Sequence, residues 1–224
     1  DIFKQMDDPG RLLQALNTKA RALASSGRID EAHSLLRELQ TNSDSYLAGT
    51  GVISASIAMQ LGDGARLRDA LGTPVDHTLM MGTIADHETG ILHGLTALLN
   101  GDASTAKSML EQSVKDASNA GQLAYSNAAL SIAAAAARDP KLALSAADHA
   151  MAVEGGTYLD VQMAKIGQAL AFAQMDDRRA LVVIDEVVNR AKETSDLLSQ
   201  NAALLARASV AAGLRTDDAV EQAA

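Results

Sequence analysis

The densest grouping of side chains able to bind a metal or move a proton is Asp86-His87-Glu88, with His93 six residues on and Asp76-His77 a little before. Imidazoles and carboxylates are the ligands zinc takes, but a helical zinc pair uses an i,i+4 spacing. On a helix, six residues turn through about 600°, which leaves His87 and His93 about 120° out of alignment. The grouping therefore reads as a solvent-facing helix start, with acidic side chains at the positive end of the helix and His93 partly buried between helices. His33 and His149 have no partner nearby in sequence and read as surface residues. The absence of cysteine excludes disulfides, thiolate catalysis and cysteine-bound metal. Neither a phosphate-binding glycine loop ending in Lys and Ser or Thr nor a G-x-S-x-G elbow occurs. Gly49-Thr50-Gly51 lacks the third glycine of a dinucleotide loop. No catalytic residue, cofactor or metal ligand is nominated, and the chain reads as a protein that is not an enzyme.

What must position any functional surface is a set of helices. The 224 residues are 47% hydrophobic and 21% charged, enough for a folded core, yet only 2% are aromatic. The apolar mass is Ala, Leu, Ile, Val and Met, and β-branched residues never gather into alternating runs, so the expected fold class is all-α. A formal charge of −9 and 19 dispersed basic residues argue against direct nucleic-acid binding, which needs clustered Lys and Arg. Arg178-Arg179 follows Asp176-Asp177 and reads as a solvated helix start. No run approaches about 18 apolar residues and the start lacks a basic-then-apolar leader, so a non-membrane, cytoplasmic protein is expected.

Internal repetition is the strongest signal. In the segment from Ala20 to Leu39, a helix stops at Gly27, which can take the left-handed cap, and another starts after Asp30, whose carboxylate can accept from free amides. The same grammar recurs at Gly62-Asp63-Gly64, Gly101-Asp102, Asp139-Pro140, Asp176-Asp177 and Thr216-Asp217-Asp218. The markers following the breaks, Ala32, Leu67, Ala106, Ala143, Ala180 and Ala219, are 35, 39, 37, 37 and 39 residues apart. That period is one helical hairpin per unit. First helices are expected near 10–26, 45–61, 79–100, 122–138, 158–175 and 196–213; second helices near 30–41, 64–71, 103–119, 141–153 and 178–195, with a last one beginning at 217–224. The hairpins thus run 10–41, 45–71, 79–119, 122–153, 158–195 and, incomplete, 196–224, in one helical-repeat domain over 1–224. Pro74 in Gly72-Thr73-Pro74-Val75-Asp76-His77 predicts a loop over 72–78. The Asp1 start and the short last element point to a piece of a longer polypeptide.

The chain resembles the tetratricopeptide (TPR) family, which places a small residue on the first helix twelve positions before an Ala on the second. Ala20 with Ala32 and Gly94 with Ala106 fit that pair, and Ala55 with Leu67 fits it in part; Ser131, Gln168 and Arg207 hold the first-helix position in the later units. The long units are most similar to the TPR-like arms of large bacterial regulators of the maltose-operon activator type. The resemblance implies a right-handed α-α superhelix, a TPR-like solenoid of about five to six hairpins, whose groove docks a peptide or protein. In the family register the groove would include Gln14, Asn17, Arg21, Ser56, Met59, Tyr125, Lys165 and Phe172. Amides and a few cations suit a peptide backbone or a carboxylate, while Met59, Tyr125 and Phe172 suit apolar side chains. The alternative is a ligand- or partner-sensing arm of a larger bacterial signalling or transcription protein. The Ala-rich run from Ala128 to Ala137 allows very close helix approach, either within the chain or across a homodimer.

Overall fold

The computed structural model describes residues 15–16, 18–20, 22–24, 26–42, 57–58 and 82–214. Among them all regular structure is helical and no strand occurs. The helices are α1 (Ile29–Asn42), α2 (Gly82–Leu99), α3 (Ala103–Asp116), α4 (Ala120–Ala136), α5 (Pro140–Ala152), α6 (Tyr158–Gln174), α7 (Arg179–Glu193) and α8 (Leu197–Gly213). The described part of 15–24 is helical and precedes α1. The loop expected at 72–78 and the elements expected at 64–71 and 217–224 lie outside the described residues.

Among the described residues, the corners within the hairpins share a backbone turn. Just past the end of the first helix one residue turns left-handed, at Gly27 (φ 81°), Gly101 (φ 82°), Arg138 (φ 62°) and Asp176 (φ 55°). Its N–H and that of the next residue turn back onto the helix: Gly101 N to the Leu98 carbonyl at 3.0 Å and Asp102 N to that of Ala97 at 2.9 Å, with the same pair at Arg138-Asp139 and at Asp176-Asp177. These bonds close the orphan carbonyls of the helix end. At Gly101-Asp102 and Arg138-Asp139 the second residue of the corner is an Asp that caps the following helix, whereas Arg28 follows Gly27 and Arg178, without a side-chain cap bond, stands before α7. Asp102 Oδ1 accepts from Thr105 N at 3.0 Å and Asp139 Oδ1 from Leu142 N at 3.2 Å, with Pro140 in the first turn. Two residues thus end one helix and begin the next, which forces an antiparallel return.

The helices then pack by a repeating rule. Each packs on its sequence neighbour from α2 to α8, and the first helices also pack on one another, α4 on α6 and α6 on α8, with α2 lighter on α4. No comparable packing joins the second helices α3, α5 and α7. The marker alanines Ala32, Ala106, Ala143 and Ala180 are all fully buried, each on the face its helix turns inward. Two larger cores result, one around Ile91, Leu95, Leu110 and Leu130, the other around Ile184, Val187, Val210 and Phe172. A smaller cluster joins Ala20, Ala24, Ala32, Leu36 and Ile57.

The centre is α4, buried on nearly every side: Ala124, Ala128, Ala129, Ala133, Ala134 and Ala135 have essentially no exposed surface. A helix contacted by α2, α3, α5 and α6 at once needs short side chains all round. The Ala-rich run is therefore used inside the chain. The tightest approach is α6 on α4. A Cβ placed on Gly167 would lie 2.7 Å from Ser131 Cβ and 2.8 Å from the Ser131 carbonyl carbon. Ser131 is fully buried and donates its hydroxyl to the Ala128 carbonyl at 2.7 Å. It serves as the small residue of this crossing, with Gly167 as its partner on α6.

Gly167→Ala is expected to destabilise the fold by about 1–3 kcal/mol through overpacking, read in a urea titration; a midpoint equal to wild type would show that the two backbones can part freely. Arg138→Gly is expected to act in the opposite sense. A left-handed non-glycine residue costs about 1–2 kcal/mol, so removing its Cβ should raise the melting temperature by about 2–4 °C, and a lowered one would contradict the strain.

Candidate functional site

The histidine grouping folds differently from its sequence expectation. His87 is buried at 5% exposure, whereas His93 is exposed. The reason is tertiary. On α2, the face carrying His87, Ile91, Gly94 and Leu95 follows the 3-4 spacing of a helix stripe and turns toward α3 and α4, while His93 lies off it. His87 Nε2 sits 2.8 Å from Ser126 Oγ on α4, and Ser126 donates to the Ser113 carbonyl of α3 at 3.4 Å. The imidazole thus ties three helices together. Ser126 has no exposed surface, so this Ser–His pair is closed to any substrate and its hydroxyl serves packing.

Burial pushes the His87 imidazole below its ordinary value, against weaker opposing pulls from its hydrogen bonding at Ser113 and from the Asp116 charge. His87 and His93 also line one cleft of about 370 Å³ between α2 and α3, with Met109, Gln112, Ser113 and Asp116. Among the described residues no three His, Asp or Glu side chains come together in a way that could hold a metal ion. His149 is exposed and His33 half-buried.

Of the residues expected in a groove, Gln14, Asn17, Arg21, Ser56 and Met59 lie outside the described residues. The other three do not gather into one site. Tyr125 packs, half-buried, on the core around Ile91 and Leu110. Lys165 is drawn to α7 by an ion pair with Glu186 at 2.8 Å. Phe172 is 7% exposed in the other core, and the Arg179 guanidinium stands 4.3 Å from its ring centroid. Arg179 also bonds the carboxylate of Asp177, holding it below the usual carboxylate range. Arg179 and Asp177 are thereby committed to an exposed helix start.

A second concavity, of about 610 Å³, runs across the C-terminal ends of the first helices α4, α6 and α8. Ala136 and Arg138 supply one wall, Leu170, Gln174 and Asp176 the floor, and Ser209 with Gly213 the other wall. Gln174 Nε2 donates to the Ala135 carbonyl, which fixes the amide, while its Oε1 is buried without a partner. Sequence reasoning missed this furrow. A usable signal existed: Ala136 and Ala173 stand 37 residues apart, one repeat, so the same small-residue step recurs at successive helix ends. No family model, curated protein or solved structure matches the chain.

The lowered His87 value has a definite sign. Above about pH 6.5, the ordinary imidazole value, both folded and unfolded states hold a neutral ring and the group is silent. Below it the unfolded chain takes up the proton first, so stability falls as pH falls toward the lowered folded value. Wild type is expected to lose more stability than His87→Gln between pH 7 and 5.5 in matched denaturant titrations, and parallel profiles would contradict burial of a neutral ring.

Proposed function

We propose that this chain is a non-catalytic binding module, a right-handed α-α superhelix of the TPR type that docks a peptide or protein partner on the wall made by its first helices. The observation that carries the reading is the furrow crossing α4, α6 and α8. Packing between successive first helices, without comparable packing between second helices, supports a curved array with the first helices on its inner side. Helices packed about 8–10 Å apart give three of them a span of roughly 20 Å, the length of about six residues of extended chain. The surface chemistry suits such a ligand. Gln174 lines the furrow with its amide held by the Ala135 carbonyl, Arg138 and Asp176 offer opposite charges, and Leu170 and Ala173 offer apolar contact.

The second reading, a sensing arm of a larger bacterial signalling or transcription protein, draws on the same furrow. Its walls belong to three hairpins, so a ligand that binds all three biases their relative tilt, which is how a signal would leave the site.

The test begins with peptides selected from a random display library on the folded chain. Ala136→Arg and Ser209→Arg, both at exposed positions, should weaken the selected peptide about tenfold or more while the melting temperature stays put. Binding unchanged in both variants would place the peptide elsewhere and sink the reading.

A further inference from the structure

The outward face of α8 carries almost no polar groups. Ser199, Ala203, Ala206 and Val210 turn into the core, and on the opposite side stand Leu197, Asn201, Leu204, Ala208 and Ala211, all exposed. Their spacing of 4, 3, 4 and 3 residues is that of a heptad seam, with the leucines at d and Asn201 at a. Leu197 and Leu204 keep 49% and 46% of their surface exposed, and Leu205, on the flank of the seam, 61%. Leu197 does so although the Gly27 corner lies against it. A helix face of this kind calls for another helix to cover it.

A further hairpin of the same kind would not need these leucines. On α6, 39 residues earlier, the positions matching Leu197 and Leu204 are Tyr158 and Lys165. With α7 packed beside them both stay half-buried and polar, Tyr158 Oη meeting Thr194 Oγ1 at 3.1 Å and Lys165 Nζ donating to Glu186 at 2.8 Å. The positions matching Ala208 and Ala211, which are Ala169 and Phe172, are buried there. The leucines of α8 thus stand where the array elsewhere keeps polar side chains, and they ask for a cover that is apolar at both. Residues 215–224, ten in all, would reach about 15 Å as a helix, short of the roughly 21 Å from Leu197 to Ala211.

We propose that this face docks a second copy of the chain, α8 beside α8 in parallel about a two-fold axis. The seam complements itself. None of its five residues is ionisable, and Arg207 is held on the α7 side by Asp185 at 2.6 Å, so the chain's charge of −9 is not concentrated at the contact. The amide of Asn201 both donates and accepts, so it pairs with its own copy across the axis and fixes the register. Leu197 and Leu204 then meet their own copies, and Ala208 and Ala211 let the two backbones draw close.

The experiment is analytical ultracentrifugation of the whole chain from about 10 to 500 μM. A monomer–dimer equilibrium is expected, with a micromolar dissociation constant because a seam of about two heptads is a small interface. Leu204→Glu should weaken it about tenfold or more. Val182→Glu, at the 62% exposed valine of α7, should leave it unchanged, and both variants should melt as wild type does. With no native cysteine to compete, Ala208→Cys should oxidise to a disulfide-linked dimer, since parallel pairing sets the two thiols side by side. A chain that stays monomeric over the whole range, as it would were the face covered by residues 215–224 or reserved for another protein, would overturn the proposal. So would a dimer indifferent to Leu204→Glu, or an Ala208→Cys chain that does not cross-link. No seam residue belongs to the furrow walls, so peptide binding and pairing can each fail without the other.

Discussion

The contact on which the described hairpins depend is the meeting of α6 with α4 at Gly167 and Ser131. With a glycine on one helix and a serine on the other, the backbones come close enough that a single methyl would collide with main chain. That proximity lets Ala128, Ala147, Ala150 and Ala164 close a seam from side chains of one carbon each, and Ala134, Ala135, Ala143 and Ala171 do the same nearer the corner. Dispersion in such seams comes from many short contacts, and each falls off steeply with a gap. A chain with almost no aromatic residues has few other ways of filling a core.

Electrostatics plays a lesser, orienting part. Lys107 with Asp139, Lys165 with Glu186 and Arg207 with Asp185 each bridge separate elements, at 3.3, 2.8 and 2.6 Å. All three are substantially exposed, and pairs of this kind contribute little to stability in water. Their consequence is for function, because these cations are spent between elements rather than offered to a ligand. The residues that line the two concavities include His87 in the one and Gln174 in the other.

Those concavities follow from the packing rule. Where first helices stack and second helices do not, successive helix ends step past each other and leave a furrow along the stacked side. The cleft beside His87 has another origin, the end of the α2–α3 hairpin away from its two-residue corner, where Gly90 leaves one side short of side-chain volume. One is a property of the array and the other of a single hairpin, which is why their chemistries differ.

Helix type and the places where helices turn were legible in the sequence because the signals are local. Gly101-Asp102 and Asp139-Pro140 carry their cap bonds within a few residues, so the starts of α3 and α5 can be read without knowing what packs against them. Arg138 and Asp176 take the left-handed position without glycine's permission, yet the Asp that follows each still marks the corner. Burial was another matter. His87 and His93 look alike in sequence, and only the face that α2 turns to α3 and α4 separates the buried ring from the exposed one. Ser131 has the size for a close crossing, but its role depends on Gly167 lying over it from another helix. Phe172 and Lys165 were read as groove residues by register, and only the fold shows that α7 brings the Arg179 guanidinium to the one and the Glu186 carboxylate to the other. A cap is settled by atoms within one turn of chain; a site is settled by which helices meet, and that information resides in contacts 20 to 40 residues apart.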